Sequence, residues 1–434
     1  MKSWARRAAL GSAIVGMAAG LLVVGAAVGS PRDNAPTPPT TATAPVDPLT
    51  ASIAKLQSTL KEAPGNYRAW SDLGLAYVSQ SRLTADPSFY TKAEGAFAKS
   101  IALRSADNAD AITGQATLAA ARHDFAEALT LINSSLRLND FSATAYGVKA
   151  DALTELGRYD QAAAAVQRML NLQPGTPSFA RASYQRELRG DVPGAREALE
   201  RADEATRNPG DKAFAQFYLG ELAWNTGDLT AARSAYDSAL AQDPRYVQAL
   251  VGQAKALALT DPTAALSLYR EAVQTQPQPS YLIELGELLE ATGQTTAAQE
   301  QYDVVRATQQ LFAASGANVD LELALFEADH GSAATSLKYA TAAFRARPDA
   351  ILVQDAYAWA LHKSGRSAQA LPIARKAQRL GTRLPYLRYH LGVIEAAVGE
   401  RAAARRSLSS ALELNPSFNP LQAPAARKLL KSLG

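Results

Sequence analysis

The sequence predicts an all-α solenoid built from repeated helix-turn-helix units. From about residue 49 onward, small and apolar residues recur with a period of 34, a length typical of stacked helical pairs. Hydrophobic residues make up 47% of the 434 residues, whereas aromatic residues make up only 7%. Such a predominance of small side chains suits helices that pack at close range.

Composition excludes several classes of site. The chain has no cysteine, which excludes disulfides, thiolate metal sites, cysteine nucleophiles and lipid attachment at cysteine. The formal net charge is +3, and the basic residues are spread along the chain rather than gathered in a patch. We therefore expect no nucleic-acid partner.

The N-terminus has the pattern of a membrane anchor. Residues 1–7 are basic and residues 8–29 carry no charge. A helix over 8–29 would span roughly 33 Å, enough for a bilayer core of about 30 Å. Because the positive charges precede the apolar segment, we expect a cytoplasmic N-terminus and a single-pass cell-membrane protein whose repeats are extracytoplasmic.

A cleaved signal peptide is the alternative, with Ala27 and Gly29 as the small residues before a cut at Ser30. The apolar segment is longer than a usual signal-peptide core, which favours the uncleaved anchor. Residues 30–48 are rich in Pro and Thr and are predicted to form a semi-extended linker. Residues 49–434 are predicted to form the solenoid, with flanking cap helices at 49–62 and 424–433.

The clearest repeat unit covers residues 143–175. Its eighth residue, Ala150, must be small because two helices cross there. Gly157 is placed to end the first helix in a left-handed conformation, and Pro174 to stop the second. Ala162 is the small residue where the second helix crosses the first.

The same positions recur in about ten units covering residues 67–418. The unit at 246–278 lacks a glycine at its turn and has Asp261-Pro262 instead. Matching residues elsewhere are Trp70, Leu73, Gly74, Tyr77, Leu219, Gly220, Gly227, Ala232, Leu285, Gly286, Gly293, Ala298, Leu391, Gly392, Gly399, Ala404 and Pro416.

These residues resemble the tetratricopeptide repeat family. The resemblance implies a right-handed superhelix whose first helices line a concave groove, where peptides bind at the second, fifth, ninth, twelfth and thirteenth positions of each unit. Carried onto this chain, it implies the peptide-binding residues Phe214, Phe217, Glu221, Trp224, Asn225, Trp359, His362, Tyr386 and Tyr389.

A structural role is the alternative for these aromatic residues. Tight superhelical winding would bury some of the rings against neighbouring units, and the alternatives stay balanced for Phe217 and Trp224. Tyr386 and Tyr389 are the weaker candidates, because the C-terminal helix could cover them.

No sequence feature points to catalysis. The chain has no phosphate-binding glycine loop, metalloprotease helix motif or nucleophile elbow. Its histidines, His123, His330, His362 and His390, do not lie at metal-ligand spacing along a helix. We therefore expect no enzymatic activity, no cofactor and no metal.

The leading functional prediction is a membrane-anchored scaffold of the bacterial cell envelope that binds protein or peptide partners in its groove. The alternative is a sensor that captures a secreted peptide or a small ligand. A small-ligand site would need a closed pocket rather than an open groove, and no small-molecule substrate is expected.

Overall fold

The computed structural model describes residues 48–434, which form 22 α-helices and no strand. The predicted segments 1–7 and 8–29, and all but the last residue of the linker, lie outside the described residues. Of the helices in residues 48–434, none combines the length and the hydropathy that a membrane span requires.

Helices α2 to α21 form ten consecutive pairs, with α1 before the first pair and α22 after the last. The helices are α1 (Pro48–Glu62), α2 (Tyr67–Thr84), α3 (Ser88–Leu103), α4 (Ala109–Ala121), α5 (Phe125–Leu138), α6 (Ala143–Glu155), α7 (Tyr159–Leu172), α8 (Thr176–Glu187), α9 (Val192–Glu204), α10 (Pro209–Asn225), α11 (Leu229–Gln242), α12 (Val247–Leu257), α13 (Pro262–Thr275), α14 (Pro279–Ala291), α15 (Thr295–Ala314), α16 (Asp320–His330), α17 (Ala333–Ala346), α18 (Ile351–Lys363), α19 (Ser367–Ala377), α20 (Pro385–Ala397), α21 (Arg401–Leu414) and α22 (Gln422–Ser432).

Small residues at the helix crossings behave as the repeat pattern predicts. The ring of Tyr236 on α11 lies between Gly220 on α10 and Gly252 on α12, and a Cβ at either glycine would overlap that ring. Tyr236 is fully buried as a result. The close approach of the backbone to an aromatic ring therefore explains why these positions carry glycine.

The turn chemistry also follows the sequence. Gly157 ends the first helix of its pair with φ 75°, and Arg158 N donates to Leu153 O at 2.8 Å. In the unit without a glycine, Asp261 instead caps the second helix by accepting from Ala264 N at 3.0 Å, and Pro262 takes the first helical position.

The second superhelical turn of the solenoid packs directly on the first. Hydrogen bonds join residues 191 to 196 positions apart. Four of these bonds each have at least one backbone partner. They run from Gln276 Nε2 to Leu83 O at 2.8 Å, from Asn318 N to Arg122 O at 2.8 Å, from Ile351 N to Tyr159 Oη at 2.8 Å and from Asn415 Nδ2 to Trp224 O at 2.7 Å.

These contacts are regular, and we call them the seam. Each one joins the turn inside a helix pair to the turn between two pairs that lies eleven helices later. The glycine turns follow the same rule: Gly157 meets the backbone of Asp349, and Gly190 meets the carbonyl of Gly381. One superhelical turn therefore contains five and a half helix pairs.

A buried ion pair joins the two superhelical turns in the middle of the seam. Arg347 Nη1 lies 2.8 Å from Glu155 Oε2, and both side chains are buried. The guanidinium also lies 5.2 Å from the centroid of the Phe125 ring. Removal of one partner from such a pair leaves a buried charge without compensation, so the pair holds the two turns in one register.

The seam predicts that the same glycine-to-alanine substitution lowers the free energy of unfolding by different amounts at two positions. Gly157 and Gly365 both have positive φ, but a Cβ at Gly157 would overlap the backbone of Asp349, whereas no heavy atom lies within 4 Å of one at Gly365. We expect Gly365→Ala to cost about 1–2 kcal/mol for the left-handed conformation alone. Gly157→Ala should cost roughly 1–3 kcal/mol more because the seam must shift.

Urea and thermal unfolding followed by circular dichroism would measure both variants. Equal losses of stability for Gly157→Ala and Gly365→Ala would contradict a packed seam.

Candidate ligand-binding lumen

The seam encloses the concave face of the solenoid. Within it lies a cavity of about 790 Å³, lined largely by the first helices of the pairs and drawn from both superhelical turns. Seam residues such as His123, Gln276 and Arg347 form part of its wall. The groove is therefore a partly closed lumen, and we use that name for the cavity below.

Five of the nine sequence-predicted binding residues line the lumen. They are Phe214, Phe217, Glu221, Asn225 and Tyr386. The first four lie on α10, on the face that the family positions indicate, and Tyr386 begins α20. Their role in peptide binding stays a prediction.

The predicted tryptophans lie in the helix packing instead. Trp224 is 5% exposed and packs with Tyr236. Trp359 is buried as well; its Nε1 donates to Asp329 Oδ1 at 2.9 Å, and its ring stacks on His390 with centroids 4.1 Å apart. Tight winding thus gives both indole rings structural partners.

Tyr389 and His362 are not part of the lumen wall. Tyr389 is buried and lies 5.8 Å from the Phe418 ring, next to the C-terminal helix. The ring of His362 stacks on Trp359, and its Nδ1 lies 3.0 Å from Ser367 Oγ. The expected cover by the C-terminal region therefore applies to Tyr389, whereas Tyr386 faces the lumen.

An aromatic cluster forms one side of the lumen. Tyr218 lies between Phe214 and Phe217, with ring centroids 4.6 Å and 5.1 Å away, and Phe217 lies 6.0 Å from Tyr246. Phe217, Tyr218 and Tyr246 are only partly buried, although every ring in the cluster has an aromatic neighbour. These surfaces are available to a ligand without any unpacking of the core.

The lumen is acidic although the whole chain is slightly basic. Its wall, as far as the structure describes it, has ten Asp and Glu residues and four Lys and Arg residues, against a net charge of +3 for the full sequence. Some of these carboxylates are neutralised locally. Glu221 lies 2.7 Å from Lys255 Nζ, and Glu155 pairs with Arg347 across the seam.

Glu187 has no such counterion. It is only 6% exposed, and its Oε1 accepts a hydrogen bond from Asn225 Nδ2 at 3.3 Å. Its Oε2 has no hydrogen-bond partner among residues 48–434. Burial raises the pKa of Glu187 to about 7; the Asn225 amide opposes this shift and Glu221 adds to it.

Glu284 is a second carboxyl of the lumen wall whose pKa is raised by burial. Its Oε2 accepts from the Tyr269 hydroxyl at 3.0 Å. Burial raises the pKa of Glu284 to about 7, with Lys255 acting against the shift and Glu221 in favour of it. Glu221 therefore lies within electrostatic range of both Glu187 and Glu284.

Arg82 is the basic side chain opposite this acidic region. Its side chain is exposed to the lumen, where enclosure by the protein lowers the pKa of the guanidinium, and Tyr218 and Tyr246 counteract that shift. Burial raises the pKa of Tyr218; Arg82 also opposes this rise, whereas Glu221 and Glu187 add to it. The basic Arg82 and the acidic residues of the wall therefore act on the same tyrosine.

Sequence reasoning identified Glu221 in the acidic part of the lumen but missed Glu187 and Glu284. Glu187 and Tyr184 occupy the twelfth and ninth positions of the unit that starts at Thr176, so the family positions applied to that unit would have found them. Tyr218 and Glu284 occupy the sixth position, which those positions do not include. Only the tight winding turns that position toward the lumen.

Two of the histidines lie against carboxylates of neighbouring helices. His330 Nε2 lies 3.2 Å from Glu287 Oε1, and His390 Nδ1 lies 2.8 Å from Asp355 Oδ2. Residues 48–434 contain no group of three His, Asp or Glu side chains arranged to hold a metal ion.

Comparison with known proteins identifies the family. The model of the tetratricopeptide repeat matches residues 49–101, 113–177, 189–247 and 255–312, which together make up more than half of the chain. The chain belongs to the tetratricopeptide repeat family. The repeat interpretation of the sequence is confirmed.

Individual relatives cover less. Cellulose synthase 1 operon protein C of Komagataeibacter xylinus is 33% identical over 110 residues, which are 25% of this chain and 8% of that protein. This chain therefore spans only a small part of that relative's length.

Three solved structures match this chain at TM-scores of 0.40 or less. The Cut9-Hcn1 hetero-tetramer of APC/C matches 89% of this chain and 93% of its own at 14% identity and TM-score 0.40. A tetratricopeptide repeat protein from Parabacteroides merdae matches 59% of this chain and 98% of its own, at 20% identity and TM-score 0.35. YrrB, described as a tetratricopeptide repeat protein with an unusual peptide-binding site, matches 42% of this chain and 92% of its own, at 23% identity and TM-score 0.29.

Glu187 makes stability depend on pH in a defined direction. The pKa of Glu187 is about 7 in the folded state against an ordinary value of 4.5. The stability of the fold therefore falls as the pH rises from 4.5 to 7, and the full cost of ionising the buried carboxyl is present above pH 7. Below pH 4.5 the carboxyl is protonated in both states and this cost disappears. Glu187→Gln should therefore raise the Tm at pH 8, with a gain that shrinks toward pH 4.5.

The matched control is Glu300→Gln, on an exposed carboxylate of α15. Differential scanning fluorimetry between pH 4.5 and 8 would compare the two variants with the native chain. A Glu187→Gln variant that is less stable than the native chain at pH 8 would contradict the buried, uncompensated charge.

Proposed function

We propose that this protein is a membrane-anchored scaffold of the cell envelope that binds a polypeptide segment in its lumen. The observation that carries the proposal is the aromatic cluster of Phe214, Phe217, Tyr218 and Tyr246, which lines a cavity and leaves three of its rings partly exposed. Aromatic side chains at the centre of an enclosed surface are typical anchors of protein interfaces. Tetratricopeptide repeat proteins are typically scaffolds rather than enzymes, which agrees with this proposal.

The lumen has the dimensions for a short segment rather than a domain. Its volume of about 790 Å³ falls within the roughly 300–1,000 Å³ of ordinary ligand pockets. The first helices that line it come from many repeats, so an extended segment would contact several units at once. A bound segment would therefore bridge the two superhelical turns.

The location in the membrane rests on the sequence pattern of residues 1–29. The apolar segment at 8–29 follows the basic residues Lys2, Arg6 and Arg7, and this order favours an anchor with the repeats on the outer side. The linker at 30–48 would hold the solenoid away from the bilayer.

Capture of a small ligand by a sensor is the second candidate, and the closure of the lumen favours it. An enclosed cavity with a few convergent polar groups is the usual form of a small-ligand site. A ligand that bridges both superhelical turns would also oppose changes of pitch. Thermal stabilisation of the native chain by a small extracellular molecule would favour this candidate over the scaffold.

Blockage of the lumen should remove polypeptide partners. Leu83 is 48% exposed and lines the lumen, whereas Leu259 is 43% exposed outside the lumen wall. We expect Leu83→Arg to remove partners from a crosslinking pull-down from intact cells, because the long side chain occupies the lumen. Leu259→Arg is the matched control and should leave the partner set unchanged.

The same partners recovered with Leu83→Arg and with the native chain would refute binding in the lumen. Thermal melts of both variants would accompany the pull-down, so that unfolding is not mistaken for blockage.

The anchor predicts a defined cellular fractionation. Native protein should sediment with membranes, and protease added outside cells stripped of their outer layers should digest the repeats. Replacement of Leu21 and Leu22 by Arg places two charges in the apolar segment, which costs about 2.5–3.5 kcal/mol each at a membrane centre, and should prevent membrane retention. Repeats protected from external protease would refute the extracytoplasmic orientation.

A further inference from the structure

We propose that the acidic part of the lumen binds a cationic group, the ammonium or guanidinium of a lysine- or arginine-rich peptide segment. Glu187 and Glu284 would hold the charge, beside Glu221 and its partner Lys255, and Tyr218 and Tyr281 would contact its alkyl stem and its face. The inference rests on the proposed function, since it names the chemistry of the segment that the scaffold binds.

The arrangement of the carboxylates supports a single cationic site. Glu221 and Asn225 lie one helical turn apart on α10, and Asn225 donates to Glu187 on α8. Glu284 on α14 lies within electrostatic range of Glu221. Glu187, Glu221 and Glu284 thus line one cavity; Lys255 already pairs with Glu221, which leaves Glu187 and Glu284 to bind a ligand cation.

Glu187 is the observation that separates this region from an ordinary acidic surface. A buried carboxylate without a counterion is costly, and proteins normally pair such groups. Glu187 lines the lumen, and its Oε2 atom is buried and lacks a hydrogen-bond partner within residues 48–434. A cation supplied by a ligand would satisfy it.

Aromatic rings complete the environment that a cation prefers. Burial raises the pKa of Tyr218; Arg82 opposes this shift, whereas Glu221 and Glu187 add to it, and the ring lines the lumen. Burial likewise raises the pKa of Tyr281, and the carboxylate of Glu284 adds to that shift. A ligand cation near these carboxylates would lie close to ring faces that attract positive charge.

Retention of a carboxylate that opposes folding is typical of a binding site. A glutamine at residue 187 would keep the hydrogen bond from Asn225 and avoid the charge. The proposal therefore links two effects of one substitution, higher stability of the free protein and weaker binding of the cation.

The experiment uses the full chain in detergent micelles and two probes, a fluorescein-labelled lysine-rich peptide and spermidine. Binding of the peptide is measured by anisotropy and binding of spermidine by calorimetry. Each is measured with the native chain, Glu187→Gln, Glu284→Gln and the exposed control Glu300→Gln. We expect Glu187→Gln and Glu284→Gln each to weaken peptide binding by about tenfold or more and Glu300→Gln to leave it unchanged.

The outcomes separate this inference from the proposed function. Binding of neither probe, or equal binding by native chain and Glu187→Gln, overturns the cationic site. If Leu83→Arg still removes cellular partners in that case, the polypeptide scaffold stands with a different ligand chemistry. Glu187-dependent binding of spermidine but not of the peptide supports the cationic site and overturns the polypeptide scaffold in favour of a small amine.

Discussion

The contact between successive superhelical turns determines most of the other features of the molecule. Each seam contact requires a turn whose backbone groups are free to pair and whose surface is flat enough to approach. Gly157 and Gly190 provide that surface, and the carbonyls of Leu83, Arg122 and Trp224 provide the acceptors. Because the seam closes the concave face, carboxylates that would lie on an open groove are enclosed. That enclosure raises the pKa of Glu187 and Glu284.

The local architecture could be predicted because its causes are local. Small residues at helix crossings, glycines at turns and an Asp-Pro replacement in one unit each act within a few residues of their own position. The number of pairs follows from the same pattern, and the structure has ten of them between α2 and α21. Residues such as Gly220 and Asp261 are therefore readable without tertiary information.

The lumen could not be predicted because the pitch is the sum of many small rotations. A slight change in each unit decides whether the second turn meets the first, and no single residue encodes it. The consequence is visible at α10, where Phe217 lines the lumen while Trp224, assigned to the same face, packs against Tyr236. Gly157 and Gly365 show the same limit, since identical turn residues have a backbone neighbour in one superhelical turn and open space in the other.

The large sequence separation between residues that meet at the seam distinguishes this repeat array from an ordinary solenoid. In an ordinary solenoid each repeat touches only its neighbours, so the chain behaves as a one-dimensional series whose parts unfold independently. Here Arg347 and Glu155, 192 residues apart in sequence, share one buried ion pair. Repeats far apart along the chain thus become direct neighbours, and the array gains the long-range cooperativity of a globular domain. Whole repeats cannot be added or lost freely, because each insertion would pair every later turn with a different partner.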